Sequence, residues 1–446
     1  MTKEEELFRA ISSSKNELMR WDMRILLVGI NFYPDLTGVG KYSADMAAYL
    51  SGEGHRVHMV TAPPYYPYWQ VQPGYKGWQY KLEAWKGIRI FRTPVWVPKK
   101  PTGIKRLIHL ISFAISSIPL LLGHVVWHPD IVICVAPAFF SAPFAWLTAR
   151  LSGARSWLHI QDFELDAATS LGMLPAENFL TKWAPRGESW LLARFDRVST
   201  ISKCMMNHLV QKGVSPDHIL YFPNWVDTNL IFPLLEPHPS LRKTLGIPDD
   251  KIVVLYSGNM GYKQGLDGVM AAAKELLQVP DILFVMCGEG AVRANLEIGA
   301  VDLPNVRFLY LQPLEKLNQL LNMADIHILP QRADAEDLVM PSKLLGMLAS
   351  GKPVIAMANP GTEIGDVISC VGVRVPPGDT GAFCEALLGL AYSTMERRRL
   401  GEKGRAYVCD NWSGDIVLTH FCRYLHGLLT EAVLKSKMGW ITHNGV

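Results

Sequence analysis

Residues 337–358 read DLVMPSKLLGMLASGKPVIAMA, and the organisation of the chain follows from them. Pro341 and Ser342 stand where a first helical turn begins, an apolar segment follows, and Gly351 and Pro353 stop it. The run 353–357 then has the length and composition of a buried strand. Free backbone N–H groups and the positive end of the helix dipole gather at such a helix start, so Ser342 and Lys343 are candidate contacts for an anion. Lys343 adds a full positive charge. Read alone, the same residues also describe an ordinary loop, helix and strand with a solvated lysine, so their neighbours have to decide.

Upstream, the same alternation recurs. KIVVLYSGNMGYKQGLDGVMAAAKELL, from Lys251, is strand, glycine loop and helix; ILFVMCGEG is strand and glycine loop; VRFLYLQP and ADIHILP are further strands. The first half has the same grammar. ILLVGI (25–30) is a strand, NFYPDLTGVGKYSADMAAYLSGEGH a turn and amphipathic helix, and RVHMVTA a second strand. Thr37-Gly38-Val39-Gly40 lies between strand and helix, where small residues either admit a ligand's phosphate or make a tight turn. The full GxGxxG fingerprint of dinucleotide binding is missing, which argues against an oxidoreductase. IVICVA (131–136) is another buried strand. SWLHIQDFELD follows its helix and carries His159, Gln161 and Asp162 at a strand's carboxyl end, where ligands of open α/β sheets gather. Strand alternation puts His159 and Gln161 on one side and Asp162 on the other. Asp162, with Glu164 and Asp166, is either a base or a helix cap.

These units predict an α/β chain of two doubly wound, Rossmann-like domains facing across a cleft. The expected boundaries are an N-terminal extension at 1–22, a first domain at 23–227, a linker at 228–248, a second domain at 249–400 and C-terminal helices at 401–446. Opening residues 1–21 are acidic and polar and lack the apolar core of a secretory signal. With 446 residues, 49% of them hydrophobic, large cores are possible. A net charge of +3 is too small to indicate a nucleic-acid partner. The seven cysteines are scattered without a CxxC pair, as expected of reduced thiols in a cytoplasmic protein. His109, His124 and His128 lack ligand spacing and no DxD ends a strand, so no metal site is expected.

Two stretches stand outside the alternating pattern. PPYYPYWQVQPGYKGWQY is too rich in Pro for regular helix and reads as a long ordered loop, whose Tyr65, Tyr66, Tyr68 and Trp69 either stack on a sugar or pack beneath the loop. A basic collar follows at Arg89, Arg92, Lys99, Lys100, Lys105 and Arg106, and behind it an apolar segment from Leu107 to Trp127. A βαβ fold continuing on both sides leaves no room for a single crossing. The segment reads as a helix near 104–127 seated on a membrane's cytoplasmic face, or as a buried core helix.

TGVGK, PNWVD, SGNMGYKQGL, MCGEG and PSKLLGMLASGKPV occur in the order found in family 4 glycosyltransferases, which the chain resembles from about Arg24 to its C-terminal helices. TAPPYYP, RLIHLISFAISS, LHIQDFELDA, STISKCMMN and YFPNW resemble the members of exopolysaccharide assembly. The resemblance implies a retaining, metal-independent enzyme of GT-B fold, with a nucleotide sugar as co-substrate and no other cofactor. It implies donor phosphate contacts at Gly38, Gly40 and Gly258 and a loop near the nucleotide at Gly288, Glu289 and Gly290; where the chain departs from the family, Asn259, Lys263, Ser342 and Lys343 are the candidate phosphate contacts in place of the usual residues, and Leu338 and Met340 the candidate nucleotide contacts. Asp162 or His159 would take the acceptor proton. The chain departs from the family's pattern in several places. Asn259 and Gln264 stand where Arg and Lys are usual, and the paired glutamates fall at Leu338 and Gly346, where neither is acidic. Glu336 and Asp337 are near the first; nothing replaces the second.

The expected activity is sugar transfer from a GDP- or UDP-linked donor, with fucose suggested by the resemblance, to a polyprenyl-diphosphate-linked glycan at the inner face of the bacterial cytoplasmic membrane. The alternatives are a GT-B nucleotide-sugar epimerase, which has no need of an apolar basic helix, and a sugar-nucleotide-binding scaffold weakened by the lost glutamates.

Overall fold

The apolar runs form two sheets. A computed structural model describes residues 22–35, 38–137, 139–163, 179–234, 239–333 and 342–443. The chain divides into two units, Met1–Val198 with Leu428–Val446, and Ser199–Gly427. The first sheet contains β1 (Arg24–Val28), β2 (Arg56–Thr61), β3 (Lys81–Trp85), β4 (Ile88–Arg92), β5 (Ile131–Ala136), β6 (Arg155–Ile160), β7 (Arg197–Thr200) and β8 (Ile219–Tyr221), in the order β3-β4-β2-β1-β5-β6-β7-β8. β1, β2, β5 and β6 are buried along nearly their whole length, as parallel strands covered on both faces are, and β1 and β5 carry the apolar runs that go with it. The helices of this half are α1 (Gly38–Gly52), α2 (Gly103–Val125), α3 (Ala142–Ser152) and α4 (Phe179–Leu192).

An antiparallel hairpin, β3–β4, forms the edge of this sheet, turning through Lys86 and Gly87 at φ 48° and 79°. It overturns part of the basic collar. Arg92 is 1% exposed: it pairs with Glu83 at 2.7 Å and donates to Ala62 O at 2.9 Å and Tyr33 O at 2.5 Å. It therefore pins the chain segments that follow β1 and β2 and is no surface cation.

Helix α2 is long and apolar enough to cross a membrane, and a third of its apolar window is buried in the fold. It is apolar on both faces, unlike a surface helix. His109, Phe113, Ser117, Leu121 and His124 point inward, while Ile104, Ile108, Ile111, Ile115 and Leu122 lie exposed on the opposite stripe. The inward polar groups are tied down. His109 Nδ1 lies 2.7 Å from Trp96 O, and His124 joins His58 of β2 at 3.1 Å, with His58 stacked on Trp127. The exposed stripe rules out a helix buried on all sides.

The second sheet contains β9 (Ile252–Ser257), β10 (Ile282–Cys287), β11 (Val306–Leu309), β12 (Ile326–Leu329), β13 (Val354–Met357) and β14 (Val373–Val375), in the order β11-β10-β9-β12-β13-β14 with each pair parallel. α5 (Lys203–Gln211) joins β7 to β8 of the first sheet; the helices of the second include α6 (Pro239–Thr244), α7 (Leu266–Glu275), α8 (Arg293–Gly299), α9 (Leu317–Asn322), α10 (Ser342–Ala349), α11 (Glu363–Val371), α12 (Thr380–Ala391) and α13 (Thr394–Asn411), and α14 (Gly414–His443) is divided between the two units. Alternate residues of β9 enter different cores: Val254 and Tyr256 one, Val253 and Leu255 another. Helix α10 buries Leu344, Leu345, Met347 and Leu348, at roughly 2 kcal/mol each, which fixes where its first turn points.

Residues 228–248, expected as a linker, include α6, whose Arg242 is buried and donates to Met323 O at 2.8 Å and Asp325 at 2.8 Å. In the first unit, Glu431 of α14 pairs with Arg197 at 3.1 Å. Each sheet reverses its strand order once, between β1 and β5 and between β9 and β12. Such a switch point opens a crevice at the strands' carboxyl ends.

Candidate functional site

At the second switch point, the loop after β9 and the start of α10 meet. Gly258 has φ +146°, a conformation that favours glycine, and its N–H donates to Cys287 O at 3.0 Å. Met260 N donates to Glu289 O at 2.7 Å and Gly288 N to Leu309 O at 3.1 Å, so the sheet's ladder continues into the loops. A Cβ at Gly288 would overlap the Gly258 carbonyl, and one at Gly290 would overlap that of Met260. The glycines of MCGEG therefore let two loops lie backbone against backbone.

Lys343 leaves the first turn of α10 and runs over Gly258, with its Cδ 3.2 Å from where a Cβ would stand. Its Nζ donates to Tyr256 OH at 3.1 Å and lies 4.7 Å from that ring's centroid; Tyr256 OH donates in turn to Asn259 O at 2.5 Å. Burial pushes the Lys343 ammonium down to about 8 and the Tyr256 phenol upward, so the phenol stays neutral and serves as both acceptor and donor. Ser342 and Asn259 are exposed beside them. A half-buried, weakly solvated cation in the first turn of α10, with Ser342 and Asn259 exposed beside it, is suited to an anion that regains for it the charge stabilisation lost on burial.

Of the other second-unit residues expected here, Gln264 is a turn closer: its Oε1 accepts from Gly261 N at 3.0 Å ahead of Gly265, which is left-handed at φ +61°. Gly346 faces the core, its Cβ position 3.3 Å from Leu321 Cδ1. The Lys263 side chain, Leu338 and Met340 lie outside the described residues. Arg293 was not anticipated. This buried guanidinium donates to the carbonyls of Gly288 and, at 3.0 Å, Leu309, pairs with Glu289 at 3.3 Å and Glu297 at 2.9 Å, and lies 4.4 Å from the Tyr310 ring centroid. It fixes the Gly288-Glu289-Gly290 loop. Its signal in the sequence is the i, i+4 spacing of Glu289, Arg293 and Glu297.

The first switch point holds a different set. Gly38 opens α1 at φ +58° and is exposed. Gly40 lies inside the helix, its Cβ position 3.1 Å from Asp35 Cβ and 3.4 Å from Asn31 Cβ, so its small size serves packing of the chain on itself. Asp35, also not anticipated, is 2% exposed, accepts from Gln72 Nε2 at 3.2 Å and Asn31 Nδ2 at 3.4 Å, and is pushed up to about 6 by burial. His159 and Gln161 are buried and joined at 3.1 Å, on one side as strand alternation predicts, while Asp162 is exposed. Glu164 and Asp166 lie outside the described residues.

Comparison with known proteins follows the two halves. Residues 37–225 match the model of a glycosyl transferase 4-like domain, and residues 238–407 that of glycosyl transferases group 1. The chain is 41% identical over 387 residues to the putative colanic acid biosynthesis glycosyl transferase WcaI of Escherichia coli strain K12, covering 84% of this chain and 95% of that protein. Among solved structures it resembles sucrose-phosphate synthase from Thermosynechococcus elongatus, at TM-score 0.70 and 18% identity over 91% of this chain and 99% of that one. It also resembles HepE of Anabaena in complex with UDP-glucose, at TM-score 0.62 and 14% identity over 91% and 100%.

Proposed function

Because the chain belongs to the glycosyltransferases that join a 4-like half to a group 1 half in the GT-B fold, we propose that it is a retaining enzyme carrying a sugar from a nucleotide donor to a lipid-linked glycan in bacterial exopolysaccharide assembly. The observation that carries this reading is Lys343 crossing Gly258 at the switch point of the second sheet, its ammonium on the Tyr256 hydroxyl. In the proposed reaction the donor's diphosphate lies there. Lys343 and the amide of Ser342 at the start of α10 then stabilise the charge that grows as the sugar leaves, with no metal required. Arg293 holds the neighbouring loop for the nucleotide. The exposed carboxylate of Asp162 takes the acceptor's proton, a role less suited to the buried His159. The WcaI relative supports an exopolysaccharide pathway and the HepE complex a nucleotide-sugar donor, with GDP and UDP both to be tested.

A second reading, a sugar-nucleotide-binding scaffold, is favoured by one observation: Gly346 stands packed on Leu321 where the family carries an acidic residue. Thermal shift against GDP-fucose, GDP-mannose, UDP-glucose, UDP-galactose and UDP-N-acetylglucosamine, with EDTA present, separates the two when release of nucleoside diphosphate is followed in parallel. One donor is expected to raise the melting temperature, by mass action on the native state, and to be turned over with acceptor. A shift without turnover moves the scaffold reading ahead.

The lipid-linked acceptor is proposed from α2, whose exposed Ile stripe ends beside Lys105 and Arg106. Seated on the inner face of the cytoplasmic membrane, it would bring the enzyme to its acceptor. Ile108→Asp with Ile115→Asp is expected to abolish sedimentation with anionic vesicles. Lys105→Ala and Arg106→Ala should each weaken it about fivefold at low salt and less at high salt. Unchanged sedimentation of the double aspartate variant would remove the membrane role.

A further inference from the structure

Three indoles stand around one hollow beside α2. A cavity of about 880 Å³ is walled by Trp69, Trp78, Trp96 and Tyr68, with Lys99 and Ser112 of α2 completing it. Trp78 is 72% and Tyr68 81% exposed, so large apolar surfaces face solvent where a protein without a partner there would bury them. The walls are held in place by the fold. Trp96 N donates to Ser112 Oγ at 3.0 Å, while Trp96 O lies 2.7 Å from the His109 ring nitrogen Nδ1. Trp69 packs edge-on against His109, with ring centroids 5.3 Å apart, and Val95 N donates to Gly77 O at 2.7 Å across the hollow's base. Lys99 is in the hollow's lining, and Lys76, outside that lining, has its Nζ 5.2 Å from the centroid of Trp78.

We infer that this hollow binds the carrier end of the acceptor, with the first isoprene units of a polyprenyl chain between the indoles and its diphosphate against Lys99 and Lys76. Two features select that ligand over a neutral one. The pocket shares Ser112 with the same helix whose outer stripe is aliphatic, so a chain leaving a membrane beside α2 meets apolar surface. The cations at the hollow match the charge that joins such a chain to its glycan. Trp96, its backbone held by Ser112 and His109, presents its indole at a reduced ordering cost. This inference rests on the lipid-linked acceptor proposed above, but it is read without any transfer step.

The test is equilibrium dialysis of the full chain against tritiated farnesyl diphosphate below its micellar range, with inorganic diphosphate as competitor. Saturable binding is expected, displaced poorly by inorganic diphosphate. Trp78→Ser and Trp96→Ser should each weaken it about tenfold or more, whereas Trp78→Leu, which keeps apolar surface and discards the aromatic face, should bind within a few-fold of the parent. Melting temperatures of the variants identify any that fail to fold, and Trp78, being exposed, gives the cleaner pair. Besides an absence of saturable binding, two outcomes overturn the proposal: competition by inorganic diphosphate as effective as by farnesyl diphosphate, which leaves a site for charge alone, or Trp78→Leu as damaging as Trp78→Ser, which marks the indole face as a platform for a sugar ring. Binding of farnesyl diphosphate by a protein that turns over no donor keeps the pocket and removes the transferase reading; turnover without such binding does the reverse.

Discussion

Lys343→Met is expected to lower kcat/KM for sugar transfer on the order of 10²- to 10³-fold, the loss that follows removal of one well-placed charge-stabilising donor. The fold should survive. Burial has already moved this ammonium down to about 8, so a thioether of similar reach relieves a desolvated charge and keeps the packing over Gly258. The pH dependence follows from the same shift. Between about 8 and the ordinary lysine range the unfolded chain holds a proton that the folded chain has released, so this residue's contribution makes stability rise with pH across that window. Donor binding runs the other way. A diphosphate needs the ammonium, so affinity should fall as pH climbs above about 8, by up to about tenfold per unit, with a proton taken up on binding. Calorimetric titration of the donor in buffers of different ionisation enthalpy checks the uptake. The methionine variant should bind weakly at every pH with a flat profile. Turnover at the parent's rate by Lys343→Met would remove Lys343 from the site.

Why some of this could be read from the sequence and some could not has physical causes. Strand β5 was legible to the residue, because a parallel strand buried on both faces is an unbroken apolar run and few other structures demand one. Ser342 opens α10 as its Pro and the apolar spacing require. The hairpin β3–β4 escaped notice because Lys86-Gly87 is a weak turn signal beside Asn-Gly, and an edge strand with one solvated face alternates faintly. Gly40 shows a limit of another kind. A glycine that admits a ligand and one that admits Asp35 look alike in one dimension, and only the packing tells them apart. Arg92 and Arg293 are both buried, yet local sequence marks them as surface cations, because their carbonyl partners lie on strand ends brought together by the fold. The union of Lys343 with Tyr256 spans 87 residues and likewise belongs to the tertiary structure. In α2 the apolar content was plain. Its direction was not, since the residues turned inward include two histidines and a serine while the isoleucines face out.

Gly288→Ala should remove donor binding and cost about 3 kcal/mol or more of stability, beyond the ordinary range for a single substitution. The new methyl would sit 2.9 Å from the Gly258 carbonyl carbon and overlap its oxygen, and these are backbone atoms with no rotamer to escape into. Position 288 also holds φ +153°, where an L side chain is strained even in open space. Relief requires the loops after β9 and β10 to part, which breaks the bonds from Gly258 N to Cys287 O and from Met260 N to Glu289 O and carries Gly258 away from Lys343. Gly389→Ala is the control for glycine loss itself. It lies exposed in α12 with nothing within 4 Å of its Cβ position, so alanine should raise stability by up to about 1 kcal/mol and leave donor binding unchanged. Urea denaturation of both variants, with donor thermal shift alongside, reads the two effects separately. If Gly288→Ala is destabilised yet still binds donor, the apposed loops hold the fold but not the ligand, and the diphosphate must rest on α10 and Lys343 alone. If it binds no donor while Gly389→Ala binds normally, the backbone contact between Gly258 and Gly288 is what holds the loop after β9 against Lys343 as an anion needs.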